Sequence, residues 1–536
     1  MGYPPQGVGG AGGVIDAGAL EDSYIELFKK KDPRAARLFP YVEILYNAGK
    51  LTIDEIASYI NDVLSFSPES INRLAKCFDD DTMFSVPFLA KVFNSNQLST
   101  DKAALIFNNA HLSVSRAASI IDDVNLPISK AASIFDHENL SASRAASIIN
   151  HDNLSTSKAV AIISHENLSV SKAGAIIGNS NLSPSKAYDI ITHPDMPVDR
   201  MQSILYNTPV SSNLAYILTY GAGDLTVTSD TTISGVNRYE TLTVNSGVTL
   251  TIDGQPGALI VKNLNCYGSI VKSATGGAGG ARGAPGAGNG GNGGGGLIIF
   301  TDSFSNSGVI SADGANGGNG STVTTDGGGE AGGSGVFYVV GTDTAGIGGD
   351  GGSYFSGDTS HGGINGGGGG SYGIGYYGGA GDGSTTVTFD SYTELASEVK
   401  KAIIDWVIVN VFGKSPTTVK DIPNFYGSGG GGGLALNLSG ADGGGGGGGG
   451  EIIILCNSFD NTGTVKANGG NGGNGGTDGG YDTCGGGGGG GIVYVFYMTL
   501  VNLGTLSAAG GAHGATADYH GTDGTAGTAK AVQVEV

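Results

Sequence analysis

The amino-acid sequence predicts a multidomain α plus β protein. We expect an N-terminal α-solenoid of 14-residue helical repeats, followed by a C-terminal glycine-rich β-solenoid or sandwich with polyglycine-II bundles. Two observations predict this division. A 14-residue unit of the form NLSxSKAxxII recurs in the first half of the chain, and only 10 of the 100 glycines precede residue 221. So abrupt a change in composition predicts a domain boundary near Tyr220.

Each 14-residue unit predicts one short helix. In the copy at 139–152, Ser141 is placed as the N-cap, where its hydroxyl can accept a hydrogen bond from the first turn. Ala145, Ile148 and Ile149 follow the i, i+3, i+4 spacing of an apolar stripe. A helix of about ten residues is marginal alone, so the stripe must be buried against neighbouring copies. The clearest copies occupy residues 125–138, 139–152, 153–166, 167–180 and 181–194.

Four segments of the second half share one pattern: an apolar strand, a polar turn, a second apolar strand and then glycine. They occupy residues 257–272, 296–314, 450–469 and 491–510. Their β-branched content and alternation favour strands, and residues 226–252 have the same character. The corners Asn306–Gly308 and Asn461–Gly463 fit turns that need a positive φ at glycine.

Glycine tracts run between these strand pairs. They occupy residues 276–296, 314–335, 346–383, 427–450 and 469–491. Two alternatives are open for them: flexible linkers, or ordered extended chains packed side by side as a polyglycine-II bundle. The tracts start and end at strand edges. That placement favours the ordered bundle, because chains without side chains can approach each other closely.

One segment, 385–425, contains a single glycine and the only tryptophan, Trp406. Within it, 392–405 has helical character and 406–412 is almost wholly apolar, which predicts an inserted helical and apolar subdomain. The complete division is a flexible Gly/Pro arm (1–20), an N-terminal helical segment (21–50), the repeat array (51–219), initial β-strands (220–256), a glycine-rich β region (257–384), the inserted subdomain (385–425) and a second glycine-rich β region (426–536).

A basic residue recurs at the sixth position of eight consecutive repeats. Stacking would align these cations in a row, although a cation in the first turn opposes the helix dipole. One interpretation is a ladder of surface ion pairs with acidic residues near the repeat ends, such as Glu138, Asp152 and Glu166. The other is a docking strip for an acidic partner. The residues are Lys102, Arg116, Lys130, Arg144, Lys158, Lys172, Lys186 and Arg200.

Aromatic side chains cluster in the third glycine tract. Tyr354, Tyr372, Tyr376 and Tyr377 are candidate receptor-contact residues. Tyrosine rings on glycine-rich segments are rigid and amphipathic, and they can stack on sugar rings. The alternative interpretation is that these rings pack against the glycine bundle.

The composition limits the classes of function. A net charge of −21 argues against nucleic-acid binding, and no apolar stretch is long enough for a membrane span. The first residues lack the features of a secretory signal. The cysteines are scattered and the recurrent histidines are interpreted as helix-end residues, so we expect no metal and no other cofactor. No catalytic motif occurs, and we expect no enzyme. A carbohydrate-active β-helix enzyme stays an alternative, because such enzymes use scattered carboxylates.

The array of NLSxSKAxxII units, joined to strand-and-polyglycine repeats, resembles the glycine-rich tail-fibre and adhesin proteins of viruses, those of spindle-shaped archaeal viruses most closely. The resemblance is one of architecture over most of the chain, and no functional residue transfers by it. It implies a virion-surface protein that binds a host receptor such as a glycan. It also implies contacts with other virion proteins through the N-terminal arm and helical array, and a homo-oligomer. A microbial extracellular filament or cell-surface adhesin is the alternative.

Overall fold

The protein has mixed α and β structure, with helices in its N-terminal part and a parallel β-sheet in its C-terminal part. It forms two compact units, Met1–Ile204 and Leu205–Val536. The division therefore lies before the change in glycine content near Tyr220, and one helix of the array region belongs to the β unit. The computed structural model describes residues 22–64, 67–274, 288–320, 336–351, 366–368, 385–425, 427–430, 442–476, 483–515 and 519–534.

The N-terminal unit is built from short helices, and each clear 14-residue repeat contributes one of them; the last helix, α13, continues past the end of the unit at Ile204. The helices are α1 (Asp22–Lys29), a 3-10 helix (Pro33–Tyr41), α2 (Val42–Asn47), α3 (Ile53–Tyr59), a π-helical turn (Ile60–Leu64), α4 (Pro68–Asp79), α5 (Val86–Asn94), α6 (Thr100–Asn108), α7 (Val114–Asp122), α8 (Ile128–Asp136), α9 (Ala142–Asn150), α10 (Thr156–Ser164), α11 (Val170–Ile177), α12 (Pro184–Thr192) and α13 (Val198–Asn207).

Helices of the array pack against the helix two positions away in sequence. Helix α8 contacts α6 and α10, and α9 contacts α7 and α11. Odd and even helices thus form two rows, so the structural period is two sequence repeats. The predicted apolar stripe is confirmed, because Ala145, Ile148 and Ile149 are fully buried. Its burial supplies the stability that a nine-residue helix lacks alone.

Serine N-caps begin most array helices and also join separate repeats. The Oγ of Ser141 accepts a hydrogen bond from the amide of Arg144 at 3.2 Å, which confirms the predicted cap. The same residue donates its amide and hydroxyl to Asn108 Oδ1, at 3.2 and 3.1 Å. Ser155 binds Asp122 in the same way. Each cap therefore fixes the end of an earlier helix as well as the start of its own.

The C-terminal unit contains two helices and a large sheet. The helices are α14 (Ser212–Thr219) and α15 (Tyr392–Asn410). The strands are β1 (Asp224–Val227), β2 (Thr231–Val244), β3 (Thr249–Cys266), β4 (Ser269–Lys272), β5 (Leu297–Asn306), β6 (Val309–Ser311), β7 (Val336–Val340), β8 (Thr385–Phe389), β9 (Glu451–Asn461), β10 (Thr464–Lys466), β11 (Ile492–Asn502), β12 (Thr505–Ser507) and β13 (Thr528–Gln533).

Each of the four predicted strand–turn–strand segments forms one long and one short strand, as expected. The long strands lie in the order β3-β5-β9-β11-β13 and the short ones in the order β4-β6-β10-β12, and every pairing between them is parallel. Leu259, Ile299 and Ile454 occupy matching positions in the long strands, while Ile270 and Ile310 match in the short ones. All five are buried in one core.

The corners between paired strands need glycine for a different reason than expected. The prediction of a positive φ at Gly308 and Gly463 is wrong, because neither residue is among the described glycines with positive φ. A Cβ on Gly308 would lie 1.9 Å from the carbonyl oxygen of Gly268, and one on Gly463 would lie 2.2 Å from that of Gly308. Close stacking of successive corners therefore excludes a side chain.

The glycine-poor segment forms a small subdomain. Strand β8 pairs in parallel with β7 in a separate two-stranded sheet, and α15 packs on both strands. The helix was predicted to end at Asp405, but it continues through Trp406 to Asn410. Most of the apolar run thus belongs to the last turns of the same helix, in which Val407 and Ile408 are fully buried while Val409 is exposed.

Candidate functional site

Residues 442–450 lie at the centre of a bundle of glycine-rich chains. Other stretches of chain surround them through main-chain hydrogen bonds and close contacts. These stretches are 288–294, 312–318, 367–368, 428–430, 470–473 and 483–489. A chain with neighbours on all sides, and with no side chain to separate them, has its main-chain polar groups paired within the bundle.

Hydrogen bonds in this bundle recur at every third residue. The amides of Gly443, Gly446 and Gly449 donate to the parallel chain 483–489 at 3.0, 2.9 and 3.0 Å. The amides of the residues that follow two of these glycines, Gly444 and Gly447, donate to a different neighbour, the antiparallel chain 312–318. A three-residue repeat of this kind is the one that side-by-side polyglycine-II chains require.

The bundle binds the chain on both sides of residues 352–365 and just before residues 369–384, the two stretches of sequence that contain the candidate tyrosines. The amides of Gly346 and Gly349 donate to Gly490 and Gly487, both at 2.7 Å, and that of Gly368 donates to Gly349 at 3.0 Å. Residues 366–368 therefore lie beside residue 349. The next described residue after 368 is Thr385, where β8 begins.

The candidate receptor-contact tyrosines fall on those two intervening segments. Tyr354 lies between residues 351 and 366, and Tyr372, Tyr376 and Tyr377 lie between 368 and 385. All four are outside the described residues. Their role stays a prediction, as does the alternative that they pack on the bundle.

The basic row of the helical array donates to main-chain carbonyls. Arg144 Nε donates to Phe107 O at 2.9 Å, and its Nη2 donates to the carbonyls of Asn109 and Leu112. Lys158 donates to Leu126 O at 2.8 Å. Bonds to the carbonyl 32 residues earlier are also made by Arg116, Lys130, Lys172, Lys186 and Arg200.

These contacts explain why a cation occupies the first turn of each helix. The carbonyls lie at the end of an earlier helix and in the loop after it, where the helix dipole is negative. The attraction between the cation and these carbonyls outweighs its unfavourable interaction with the N-terminal end of its own helix dipole. Partial burial also lowers the pKa of Lys130, Lys158 and Lys172. The hydrogen-bond acceptors are main-chain oxygens, whereas ion pairs with Glu138, Asp152 and Glu166 were one of the two expectations.

The docking-strip hypothesis stays a prediction. Lys102, the first member of the row, lines a surface cavity together with Asn72, Asn109 and His111. The members further along the array, such as Lys158, direct their charged groups toward carbonyl oxygens of their own chain.

The recurrent histidines close the loops between array helices. The Nδ1 atoms of His151 and His165 accept hydrogen bonds from the amides two residues later, at 3.1 and 3.0 Å. Asp123 and Asn179 do the same through Oδ1 in other repeats. Histidine thus occupies the same hydrogen-bonding position as Asp or Asn does in the other repeats.

Sequence reasoning missed a polar cluster around Asp343. The hydroxyls of Tyr392 and Tyr494 donate to Asp343 Oδ2 at 2.8 and 3.0 Å, and Lys530 Nζ donates to Oδ1 at 2.5 Å. Burial raises the pKa of Asp343, but these three donors outweigh it and hold the pKa below its usual value. The carboxylate is therefore ionised, and both of its oxygens accept hydrogen bonds. Its three donors lie on α15, β11 and β13. Partners up to 187 residues apart give no local sequence signal.

Glu451 is the second unexpected acidic group. It is fully buried at the start of β9, where Oε2 accepts the amide of Tyr338 at 3.0 Å. Burial raises its pKa well above the usual value, because the charged carboxylate would lose its hydration. Because it has no exposure to solvent, this acid cannot contact a ligand in the described arrangement.

The described residues include no group of histidine, cysteine or acidic side chains that could hold a metal ion. All four cysteines are free. In the part of the chain that the structure describes, no helix has the length and apolar character to cross a membrane. Comparison with protein-family models, with curated proteins and with solved structures yields no match.

Proposed function

We propose that this protein is a structural attachment protein that binds a host cell-surface receptor such as a glycan, and that it acts at the surface of a virion. In this proposal the N-terminal unit is an α-solenoid, and the C-terminal unit is a β-solenoid with a polyglycine-II bundle. The resemblance to viral tail-fibre and adhesin proteins supplies the virion context.

One observation carries the proposal. The glycine bundle holds the chain at 346–351 and at 366–368, β8 pairs with β7 from Thr385, and in the sequence the aromatic residues fall between these points. Rigid scaffolds that fix the ends of variable segments are typical of binding proteins. The bundle itself offers few side chains, so recognition is assigned to the segments that it holds.

The helical array supports the same division of labour. Its basic side chains donate to carbonyls of earlier repeats, and its serine caps join separate helices. These contacts make each repeat depend on its neighbours, as in stacked repeat proteins. We assign to the array the role of a spacer that joins the binding unit to other virion proteins.

The test is binding of the full-length protein to immobilised glycans and to candidate host cells. We expect the triple variant Tyr372→Ala, Tyr376→Ala and Tyr377→Ala to lose most of the binding, about tenfold or more in dissociation constant, because aromatic residues dominate such contacts. Tyr267→Ala is the matched control, since this exposed tyrosine lies at a strand corner of the same unit. Equal loss in the control, or full binding by the triple variant, would contradict the proposal.

A further inference from the structure

A cavity of about 620 Å³ lies in the N-terminal unit between α4 and α6. The first half of α4, the outer side of α6 and the loop after α6 line it. Asn108, Ala110 and His111 are exposed, so the cavity opens to solvent. None of the described residues that line it is acidic, in a chain with 48 acidic residues and a net charge of −21. An anionic group therefore meets less repulsion here than over most of the surface.

Lys102, which lines this cavity, differs from the rest of the basic row. Within the described residues its Nζ has no hydrogen-bond acceptor and no ion-pair partner. Asp101, the preceding residue, interacts with it only through charge at a longer distance. The ammonium is thus available to a group from outside the chain. The other seven members of the row donate to main-chain carbonyls: Arg116, Lys130, Arg144, Lys158, Lys172, Lys186 and Arg200.

In the regular repeats a loop asparagine closes the corresponding groove. Asn153 Nδ2 donates to the hydroxyl of Ser115 at 2.9 Å, and Asn167 and Asn181 make bonds of the same kind. The loop after α6 has His111 at this position. In the part of the chain that the structure describes, the His111 side chain makes no such bond. A departure from the repeat therefore leaves the groove between α4 and α6 open.

Three asparagines of the cavity have side-chain oxygens that are already bonded. Asn109 Oδ1 accepts the amide of His111 at 2.9 Å, so the atom 2.6 Å from Asn72 Oδ1 is the Nδ2 donor of Asn109. Asn108 Oδ1 accepts the amide and the hydroxyl of Ser141. Because a main-chain amide can only donate, these bonds fix which side-chain atoms are oxygen. Among the described residues, the groups without a partner at Asn72 and Asn108 are thus the Nδ2 donors.

The unoccupied groups of Lys102, Asn72 and Asn108 are all hydrogen-bond donors. Their complement is an acceptor with negative charge, and one ammonium balances the single charge of a carboxylate. Sites for small molecules enclose most of the ligand, whereas this cavity is open to solvent. An open cavity with donors on its walls is better suited to a side chain that a larger partner inserts. The half-exposed Leu105 adds an apolar wall for the methylene groups of such a side chain.

We infer that this cavity is a docking site for a glutamate or aspartate side chain of a partner protein. Lys102 supplies the ion pair, and the Nδ2 groups of Asn72 and Asn108 supply further hydrogen bonds to the carboxylate. The inference reduces the docking strip to its first member, because the other seven cations are directed toward their own chain. It deepens the assignment of the array to contacts with other virion proteins, and it rests on that assignment for the source of the partner.

The test measures binding of the full-length protein to a fluorescein-labelled peptide with one glutamate between leucines, by fluorescence anisotropy. We expect saturable binding, and Lys102→Met should raise the dissociation constant about tenfold or more. The matched peptide with glutamine should bind more weakly by a similar factor. Lys102→Met should change the affinity for the glutamine peptide little, because both substitutions remove the same contact.

Asn108→Asp is a second variant that keeps the local structure. Its carboxylate can still accept both hydrogen bonds from Ser141, as Asp122 does from Ser155 in the next repeat. It replaces a free N–H donor of the cavity by a negative charge, so it should also raise the dissociation constant about tenfold or more. Far-UV circular dichroism should match that of the wild-type protein.

The matched control is Lys158→Met, which removes the same residue type at the same repeat position. The Lys158 ammonium donates to the carbonyls of Asp123 and Leu126, so peptide binding should stay unchanged. A loss in Lys158→Met as large as that in Lys102→Met would overturn the inference. Equal affinity for the glutamate and glutamine peptides would overturn it as well, as would the absence of saturable binding at submillimolar protein concentration.

Two further results separate this inference from other proposals. Glucuronate that competes for the cavity more strongly than free glutamate would assign it to an acidic sugar and overturn the protein partner. Receptor binding is tested with the tyrosine variants of the C-terminal unit, which leave Lys102 unchanged. Loss of receptor binding in those variants with the peptide still bound, or the reverse result in Lys102→Met, therefore shows which of the two proposals fails.

Discussion

At the scale of single residues, the C-terminal unit buries two lysines where its main chain offers acceptors. Lys272 Nζ donates to the carbonyls of Ile252 and Gly254, at 3.2 and 2.7 Å, and Lys400 Nζ donates to Thr208 O at 3.1 Å. The two residues are 1 and 2% exposed. Carbonyl oxygens compensate only part of the lost hydration, so burial lowers the pKa of each lysine to about 8.

The substitution Lys400→Met should show the cost of burying a charged lysine as a pH-dependent difference in unfolding free energy from the wild-type protein. The pKa is about 8 in the folded protein and 10.5 in the unfolded chain, so only the unfolded chain binds the proton between these values. The unfolding free energy of the wild-type protein should therefore rise from pH 8 to pH 10.5, by up to about 3 kcal/mol relative to Lys400→Met. Urea unfolding followed by Trp406 fluorescence measures the difference.

Lys530→Met is the control, and it should give the opposite sign. The hydrogen bond to Asp343 raises the pKa of Lys530, so its contribution is present at lower pH and is lost as the pH rises through the folded value. A difference between wild type and Lys400→Met that stays constant from pH 8 to pH 10.5 would show that Lys400 is solvated.

At the scale of elements, the sequence predicts the contacts within one helix but not the contacts between helices. The cap at Ser141 and the stripe of Ala145 and Ile148 follow from residues a few positions apart, and both are confirmed. The role of Arg144 could not be predicted, because its acceptors lie 32 to 37 residues earlier and the pairing depends on packing between helices two positions apart. A 14-residue period does not reveal that the structural period is twice as long.

Substitution of Arg144 tests this contact between repeats. Arg144→Met removes the donor to Phe107, Asn109 and Leu112, and it should lower the unfolding free energy of the array by about 1.5–3 kcal/mol, the range for hydrogen bonds to charged groups. Arg144→Lys is the matched control. It should lose less than half of that, because Lys158 and Lys172 make the equivalent bond.

Far-UV circular dichroism during thermal unfolding follows the loss, since the array holds most of the described helices. Equal stability of Arg144→Met and wild type would mean that the carbonyl contacts contribute nothing, and that the basic side chain is free for an external partner.

At the scale of the whole molecule, the position of the glycine tracts at strand edges favoured ordered chains over flexible linkers, whereas the neighbours of each chain could not be predicted. The main-chain bonds of 442–450 join stretches from 288 to 489, and a chain without side chains carries no pattern that encodes such partners. The register is visible instead in the strands, which pair equivalent residues side by side, as with Gly257 and Leu297. Likewise, the cluster around Asp343 depends on that register rather than on any local motif.

The central chain of the bundle offers the sharpest test of this arrangement. A Cβ on Gly444 or Gly447 would lie 2.0 Å from the carbonyl oxygen of Asn289 or Asn292, well inside van der Waals contact. Gly444→Ala and Gly447→Ala should each destabilise the C-terminal unit by about 1–3 kcal/mol, because main-chain atoms on every side must move to admit a methyl group. Trp406 fluorescence measures the midpoint of unfolding for this unit.

Ala515→Ser is the control, since it adds one atom at an exposed position on the rim of the same bundle. It should leave the midpoint unchanged. Flexible linkers would accept all three substitutions alike, because nothing would lie near the added atoms. An unchanged midpoint in Gly444→Ala would therefore reject the ordered bundle, and with it the rigid support from which we propose that the tyrosine-bearing segments are presented.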